Sequence, residues 1–277
     1  MFDINNEMSS VALKIDKLFE SFFSAGIPSQ NLQEAMRYAT IGGGKKFRPY
    51  LIYTIAQKLG VKDDTALYVG ACIEMLHAYT LIHDDLPCMD DDDTRRGIPS
   101  THIKFNEFTA VLTGDALQTE AFRLLSSNNL ELDPQVKLQV INQVAETVGA
   151  KNLISGQMFD LEKAKGMEAD NISFQLIHML KTAKLISLCT HIAAILANGD
   201  ENFQNKLAEY GENLGLMYQI VDDIKDNDGI VSVWGRDKAL NKLKELDSSS
   251  RHLLKELKLE DLTYINEFIV AESYEIH

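Results

Sequence analysis

Residues 83–97, "HDDLPCMDDDDTRRG", place six aspartates within ten positions (Asp84, Asp85 and 90–93), with Arg95 and Arg96 close behind. Two carboxylates about 4 Å apart repel by roughly 1 kcal/mol in water and several-fold more near a protein surface. A chain that holds such a group together therefore needs a positive partner. Mg²⁺ takes one or two carboxylates together with water and substrate phosphates. The stretch closes a helical pattern, "ALYVGACIEMLHAYTLIHDD", in which His77 lies two turns before Asp84 on the same face. Pro87 must end or bend that helix, and the bend could aim Asp84, Asp85 and Asp90 at one point. Alone, the segment reads equally well as a solvated acidic loop or a weak calcium site.

A second acidic segment, "MYQIVDDIKDNDG", puts Asp222 and Asp226 at i and i+4, with Gln219 and Asp223 on the adjoining stripe. Two aspartate-rich helix ends in an otherwise apolar helical chain suit metal ions held between facing helices. Without the first segment, this one would read as a helix end fraying into solvent.

A third feature is Lys181, which interrupts the apolar stripe Phe174, Ile177, Leu185, Leu188, Ile192, Ile195. It either snorkels from the rim of the core or turns into a cavity opposite an anion, where Thr182 adds a polar oxygen. Finally, "GGGKKFRP" (42–49) combines a glycine-freed backbone with Lys45, Lys46 and Arg48 as phosphate donors. It lacks the spacing of a Walker loop. Together these residues describe two anion sites. The two carboxylate clusters would hold Mg²⁺ ions bridging one diphosphate, with Lys181 and Arg95 around it. A metal-free patch of Lys45, Arg48, His77 and Arg96 would hold a second.

The elements that must position these groups are helices. Apolar residues recur at three and four in "VALKIDKLFESFF", with Ser9 or Ser10 as cap, and in "NLQEAMRYATI", stopped by Gly42, Gly43 and Gly44. Pro49 opens "PYLIYTIAQKLG" at a tolerated first-turn position. Further helices are expected near 64–83, 107–127, 134–153, 172–197, 201–225, 237–257 and 260–272. Without repeats or linkers, residues 1–277 read as a single all-α domain, a bundle of about ten helices.

Forty-one acidic against twenty-seven basic residues give a net charge of −14, which argues against nucleic acid and against a polybasic membrane footprint. Cys72, Cys88 and Cys189 are scattered and odd in number, as in reduced intracellular thiols rather than a disulfide framework or zinc site. The N-terminus has no secretory pattern, and the apolar run "LISLCTHIAAILA" is too short to span a bilayer. A soluble cytoplasmic protein, not inserted in a membrane, is expected.

The motifs "GGGKKFRP", "EMLHAYTLIHDDLPCMDDDDTRRG", "LTGDALQTEAF", "LISGQMFDLE", "LKTAKLI" and "MYQIVDDIKD" occur in one order over residues 30–229. In this the chain resembles the trans-isoprenyl diphosphate synthases, of the short-chain bacterial farnesyl type. The resemblance implies an all-helical fold around a deep central cavity, usually in a homodimer. It implies metal binding by Asp84, Asp85, Asp90, Asp222, Asp223 and Asp226. Lys45, Arg48, His77 and Arg96 would hold isopentenyl diphosphate, and Arg95 and Lys181 the allylic diphosphate. Lys181, Thr182 and Gln219 would face the developing allylic cation. The implied chemistry is ionisation, condensation and elimination, with several Mg²⁺ ions bound alongside the allylic substrate. An aromatic residue five before the first aspartate, here Tyr79, accompanies short products in the family, so dimethylallyl or geranyl diphosphate would be extended to farnesyl diphosphate.

Three departures stand out. Lys46 replaces the commoner Arg, Lys225 stands where an apolar residue is usual, and the segment after Asp228 is short. Family members carry lysines there that close over the allylic diphosphate. Here either that segment is shortened, with Arg236 and Lys238 as substitutes, or a mobile stretch is missing. The competing readings are a geranylgeranyl diphosphate synthase, a class I terpene cyclase, which would leave "GGGKKFRP" and His77 without a role, and a catalytically weak regulatory subunit.

Overall fold

The computed structural model describes residues 3–24, 26–167 and 173–272. It is 77% helical with almost no sheet, so the fold is all-α. The described chain groups into two compact units, Asp3–Ile141 and the residues from Asn142 onward.

The first unit contains α1 (Ile4–Phe22), α2 (Gln30–Thr40), α3 (Phe47–Lys58), α4 (Asp63–Asp84), α5 (Thr101–Lys104) and α6 (Glu107–Leu125). Helix α1 starts earlier than expected. The Asp3 side chain accepts from the N–H groups of Asn5 and Asn6, so Asp3 and not Ser9 or Ser10 is the cap; Ser9 donates to the Asn5 carbonyl at 2.8 Å. The buried face of α1, Met8, Val11, Ile15 and Phe19, keeps the expected spacing. Ser29 caps α2 through Leu32 N–H. Helix α4 begins with Asp63 and Asp64, matching the positive end of its dipole, and stops before Pro87.

The chain after Pro87 turns back on α4. Asp90 N–H donates to the Asp84 carbonyl at 2.9 Å, and Asp92 N–H to that of Asp85 at 3.2 Å. It then forms a hairpin that the periodicity does not announce. Strands β1 (Thr94–Arg95) and β2 (Ile98–Pro99) pair antiparallel across Arg96 and Gly97, both at positive φ, the backbone of a tight two-residue turn.

Helix α7 (Pro134–Val148) begins in the first unit and ends in the second. The expected helix 134–153 ends at Val148, and after a break a separate helix that the periodicity did not place, α8 (Leu153–Ala164), follows. Position 172 of the expected helix 172–197 lies outside the described residues. The remainder runs as α9 (Phe174–His178), a π-helical turn (Met179–Ala183) and α10 (Lys184–Leu196). The second unit continues with α11 (Glu201–Asp226), α12 (Gly229–Trp234), α13 (Arg236–Leu257), a 3₁₀ turn (Glu260–Leu262) and α14 (Thr263–Glu272). Helices α10 and α11 approach closely: a Cβ on Gly211 would meet Ser187 and Thr190, and one on Gly215 would meet Ala183.

Helix α4 and the stretch Phe174–Leu196 are long and apolar enough to cross a membrane by length and composition. The run expected to be too short for that is thus part of a longer helical stretch. Of their most apolar windows, 72% and 67% are buried inside the protein, the behaviour of core helices. Cys72 and Cys189 are buried and Cys88 is exposed, with no disulfide among the described residues.

Candidate active site

The predicted residues divide between the two units. In the first, Asp84 is half-buried at the end of α4, Asp85 is buried and Asp90 is exposed. Asp85 is turned to Arg95, which donates Nε at 2.8 Å and also Nη2 to the same carboxylate oxygen. Arg95 Nη2 also reaches Asp92 at 2.8 Å. The expected convergence of Asp84, Asp85 and Asp90 on one point is therefore not seen. Among the described residues no three metal-donor side chains gather at ligand spacing. The physical reason is the repulsion the sequence raises: Arg95 relieves it by drawing Asp85 inward.

The "GGGKKFRP" loop and the hairpin meet. Gly44 is at positive φ, and a side chain there would collide with the Arg96 guanidinium, which also borders Gly43. Two requirements thus fix glycine at position 44, its backbone angle and the close approach of Arg96. The imidazole of His77 is held well below its ordinary value, first by burial, then by the charges of Arg48, Arg96, Lys46 and Arg95. His77 is a neutral ring inside a positive field. Lys46 departs from expectation. Its ammonium lies in the interior with Asp16, Glu74 and the Thr40 carbonyl, while Lys45 is exposed. Only one of the two loop lysines is turned outward.

Tyr79 is buried one turn before His83, with the rings edge to face at 5.9 Å. Burial, and then the charge of Asp84, raise its phenol above the ordinary value. Thr80 donates its hydroxyl to the His77 carbonyl at 2.8 Å.

In the second unit a cavity of about 290 Å³ is lined by Asp160, His178, Lys181, Thr182, Gln219, Asp223 and Asp228, among others. Lys181 and Thr182 reach it from the π-turn, a distortion that the stripe of threes and fours does not reveal. The backbone of α8 lies against that turn, since a Cβ on Gly156 would meet Lys181 N. Lys181 Nζ sits 2.6 Å from Asp160 Oδ2. The lysine expected opposite a substrate anion thus has a carboxylate at hand within its own unit. Asp160 belongs to "LISGQMFDLE", whose spacing alone gave it no role.

Asp222 is half-buried and Asp226 exposed at the end of α11, but Asp223 is buried. Asp223 accepts Ile230 N–H from α12 at 2.7 Å and lies 3.5 Å from His178 Nε2. Burial raises the Asp223 carboxyl, opposed by those two neighbours, and burial lowers His178. The segment after Asp228 is folded: Ile230 and Val231 are buried, Arg236 donates to the Ile224 carbonyl at 3.1 Å, and Lys238 stacks over Trp234. Sequence reasoning missed α12, His178 and Asp160; "DGIVSVWG" is too short for helical periodicity to show.

The polyprenyl synthetase family model matches residues 29–245. The farnesyl diphosphate synthase of Haemophilus influenzae is 40% identical over 233 residues, 83% of this chain and 78% of that protein. Geranylgeranyl pyrophosphate synthase 7 of Arabidopsis thaliana, a chloroplastic protein, is 36% identical over 228 residues, 81% of this chain and 65% of its own length. Among solved structures, the apo FPP/GFPP synthase of Zymomonas mobilis superposes with a TM-score of 0.88 at 35% identity, covering 96% of this chain and 97% of that one. With a family model spanning most of its length and relatives alike in sequence and fold, this chain belongs to the polyprenyl synthetase family.

Proposed function

We propose that the chain is a Mg²⁺-dependent trans-prenyltransferase that condenses isopentenyl diphosphate with dimethylallyl or geranyl diphosphate to give farnesyl diphosphate. The observation that carries this reading is the metal-free cationic patch around Gly44 and His77, built from Arg48 and Arg96 and lying in the same unit as the first aspartate group. A cyclase handles one diphosphate and has no use for such a patch, whereas a condensing enzyme must hold two.

Asp84, Asp90, Asp222 and Asp226 are all-oxygen donors, the hard set that suits Mg²⁺, and the return of Asp90 onto the Asp84 carbonyl brings two of them to one helix end. Asp85 and Asp223 support them from inside through Arg95 and Ile230 N–H. When bound, Mg²⁺ neutralises diphosphate charge as the allylic bond breaks. Arg95 and Lys181 add fixed positive charge to the same anion, and Lys45, Arg48, His77 and Arg96 hold isopentenyl diphosphate. Thr182 and Gln219 turn oxygen dipoles towards the allylic cation. Loss of a proton to the departing diphosphate completes the product. The closed site must exclude water, which would otherwise quench the cation.

The two units act as one catalytic domain, and the enzyme works as a cytoplasmic homodimer without nucleic acid or membrane insertion. The charge of −14 and the buried apolar helices support the last two points. A geranylgeranyl product is the second reading, favoured by the likeness to the plant enzyme and opposed by buried Tyr79. Purified chain, Mg²⁺, isopentenyl diphosphate and each allylic starter, with products sized by chromatography, test both. A fifteen-carbon product is expected; no product from any starter overturns the proposal.

A further inference from the structure

We propose that Lys46 is a positioning residue for the isopentenyl diphosphate loop. This rests on the assignment of Lys45, Arg48, His77 and Arg96 to that substrate. The Lys46 side chain is 2% exposed, and a buried ammonium is costly unless it is paired and hydrogen-bonded. Here three helices supply the partners. Asp16 of α1 is 3.6 Å away, Glu74 of α4 is 3.8 Å away, and the carbonyl of Thr40, the last residue of α2, accepts a hydrogen bond. The Phe19 ring covers the ammonium at 5.3 Å.

The same network grips the loop at its other end, because Asp16 Oδ2 accepts Gly42 N–H at 3.0 Å. Residues 42–46 are thereby pinned at both sides by one carboxylate. Lys46 itself adopts φ +49, a left-handed angle uncommon for residues other than glycine, and its carbonyl accepts Tyr50 N–H to start α3. Strain of this kind persists only where the surroundings over-determine it. The inward turn of Lys46 leaves Lys45 exposed beside it, sets Gly44 against the Arg96 guanidinium and begins the helix that carries Arg48. Glu74 lies one turn before His77 on α4, so one ion network ties the loop to the helix bearing the imidazole. Lys46 touches no substrate; it acts through the donors on either side of it.

The test compares Lys46→Met with Lys46→Arg, measuring KM for each substrate, kcat, and direct binding of isopentenyl diphosphate by calorimetry. A misplacement of about 1 Å far from the chemistry can cost up to about a hundredfold. Lys46→Met should raise KM and Kd for isopentenyl diphosphate by roughly tenfold or more, leave the allylic KM within about twofold, and be rescued by Lys46→Arg. If Lys46→Met does not fold, Asp16→Asn, which keeps an acceptor for Gly42 but removes the charge, should give the same substrate-selective loss. Equal losses for both substrates, or an unshifted isopentenyl diphosphate affinity in the folded variant, overturn the inference alone. A wild-type chain that binds no isopentenyl diphosphate overturns the assignment of the patch, and the inference with it.

Discussion

His77 is a half-buried imidazole in the field of four positive charges, Arg48, Arg96, Lys46 and Arg95. Its folded pKa lies below the ordinary 6.5, so the native protein binds fewer protons here than the unfolded chain once pH drops past that value. Stability is then fully present above about pH 6.5 and falls as the solution is acidified, by up to about 1.4 kcal/mol per pH unit. Thermal melts between pH 7.5 and 5.5 should show this slope, and His77→Gln should flatten it; an equal slope in the variant would mean that other groups titrate. The aspartates make a different prediction. Asp84→Ala and Asp222→Ala remove charge from acidic clusters, so each should leave the melting temperature unchanged or raised. Each should also lower kcat by orders of magnitude, and normal turnover in both would refute metal binding there. Arg48→Ala should weaken isopentenyl diphosphate far more than the allylic substrate in paired KM measurements.

At the scale of an element, helix α4 is the proposed limit on product length. If the chain grows from a diphosphate held at Asp84, it would pass along that helix, where Thr80 and Tyr79 lie about 6 and 7.5 Å back at 1.5 Å per residue. Tyr79 is the bulky member and is buried. Tyr79→Ala should shift products from fifteen carbons towards twenty or more by chromatography; a variant that still stops at fifteen places the limit elsewhere. The short segment after α11 has a prediction of its own. Arg236 bonds the carbonyl of Ile224 in the last turn of α11, where freed carbonyls need donors. Arg236→Ala should loosen α12, admit water and raise the share of allylic alcohol, measured against condensation product. The long helices were legible because their apolar stripes bury one face, as Met8, Val11, Ile15 and Phe19 do in α1. The π-turn was not, since Ile177 and Leu185 stay buried on either side of it and the stripe looks unbroken. Nor were the six-residue hairpin Thr94–Pro99 and the six-residue α12, both too short for a repeating pattern to show.

At the scale of the whole molecule, the candidate site was legible where charge stood in the wrong surroundings: aspartates crowded together, a lysine in an apolar stripe, cations beside glycines. What sequence could not supply was direction. Lys45 and Lys46 are neighbours of one type, yet one is exposed and the other buried. Asp84 and Asp85 divide in the same way: Asp84 is half-buried, whereas Asp85 is buried and held by Arg95. Direction matters on the outer surface as well. Ile98, Ile103, Phe108 and Leu112 are 48%, 50%, 67% and 54% exposed, within fifteen consecutive positions of the first unit. Phe108 and Leu112 stand at i and i+4 on α6, so they share a face. Isolated exposed apolar residues are ordinary, but a cluster marks an interaction surface, and the homodimer proposed above would cover it with the same surface of a second copy. Phe108→Glu combined with Leu112→Glu should turn a dimer into a monomer in sedimentation experiments while α-helical circular dichroism is retained. An unaltered dimer in that variant would mean that the copies meet through another face.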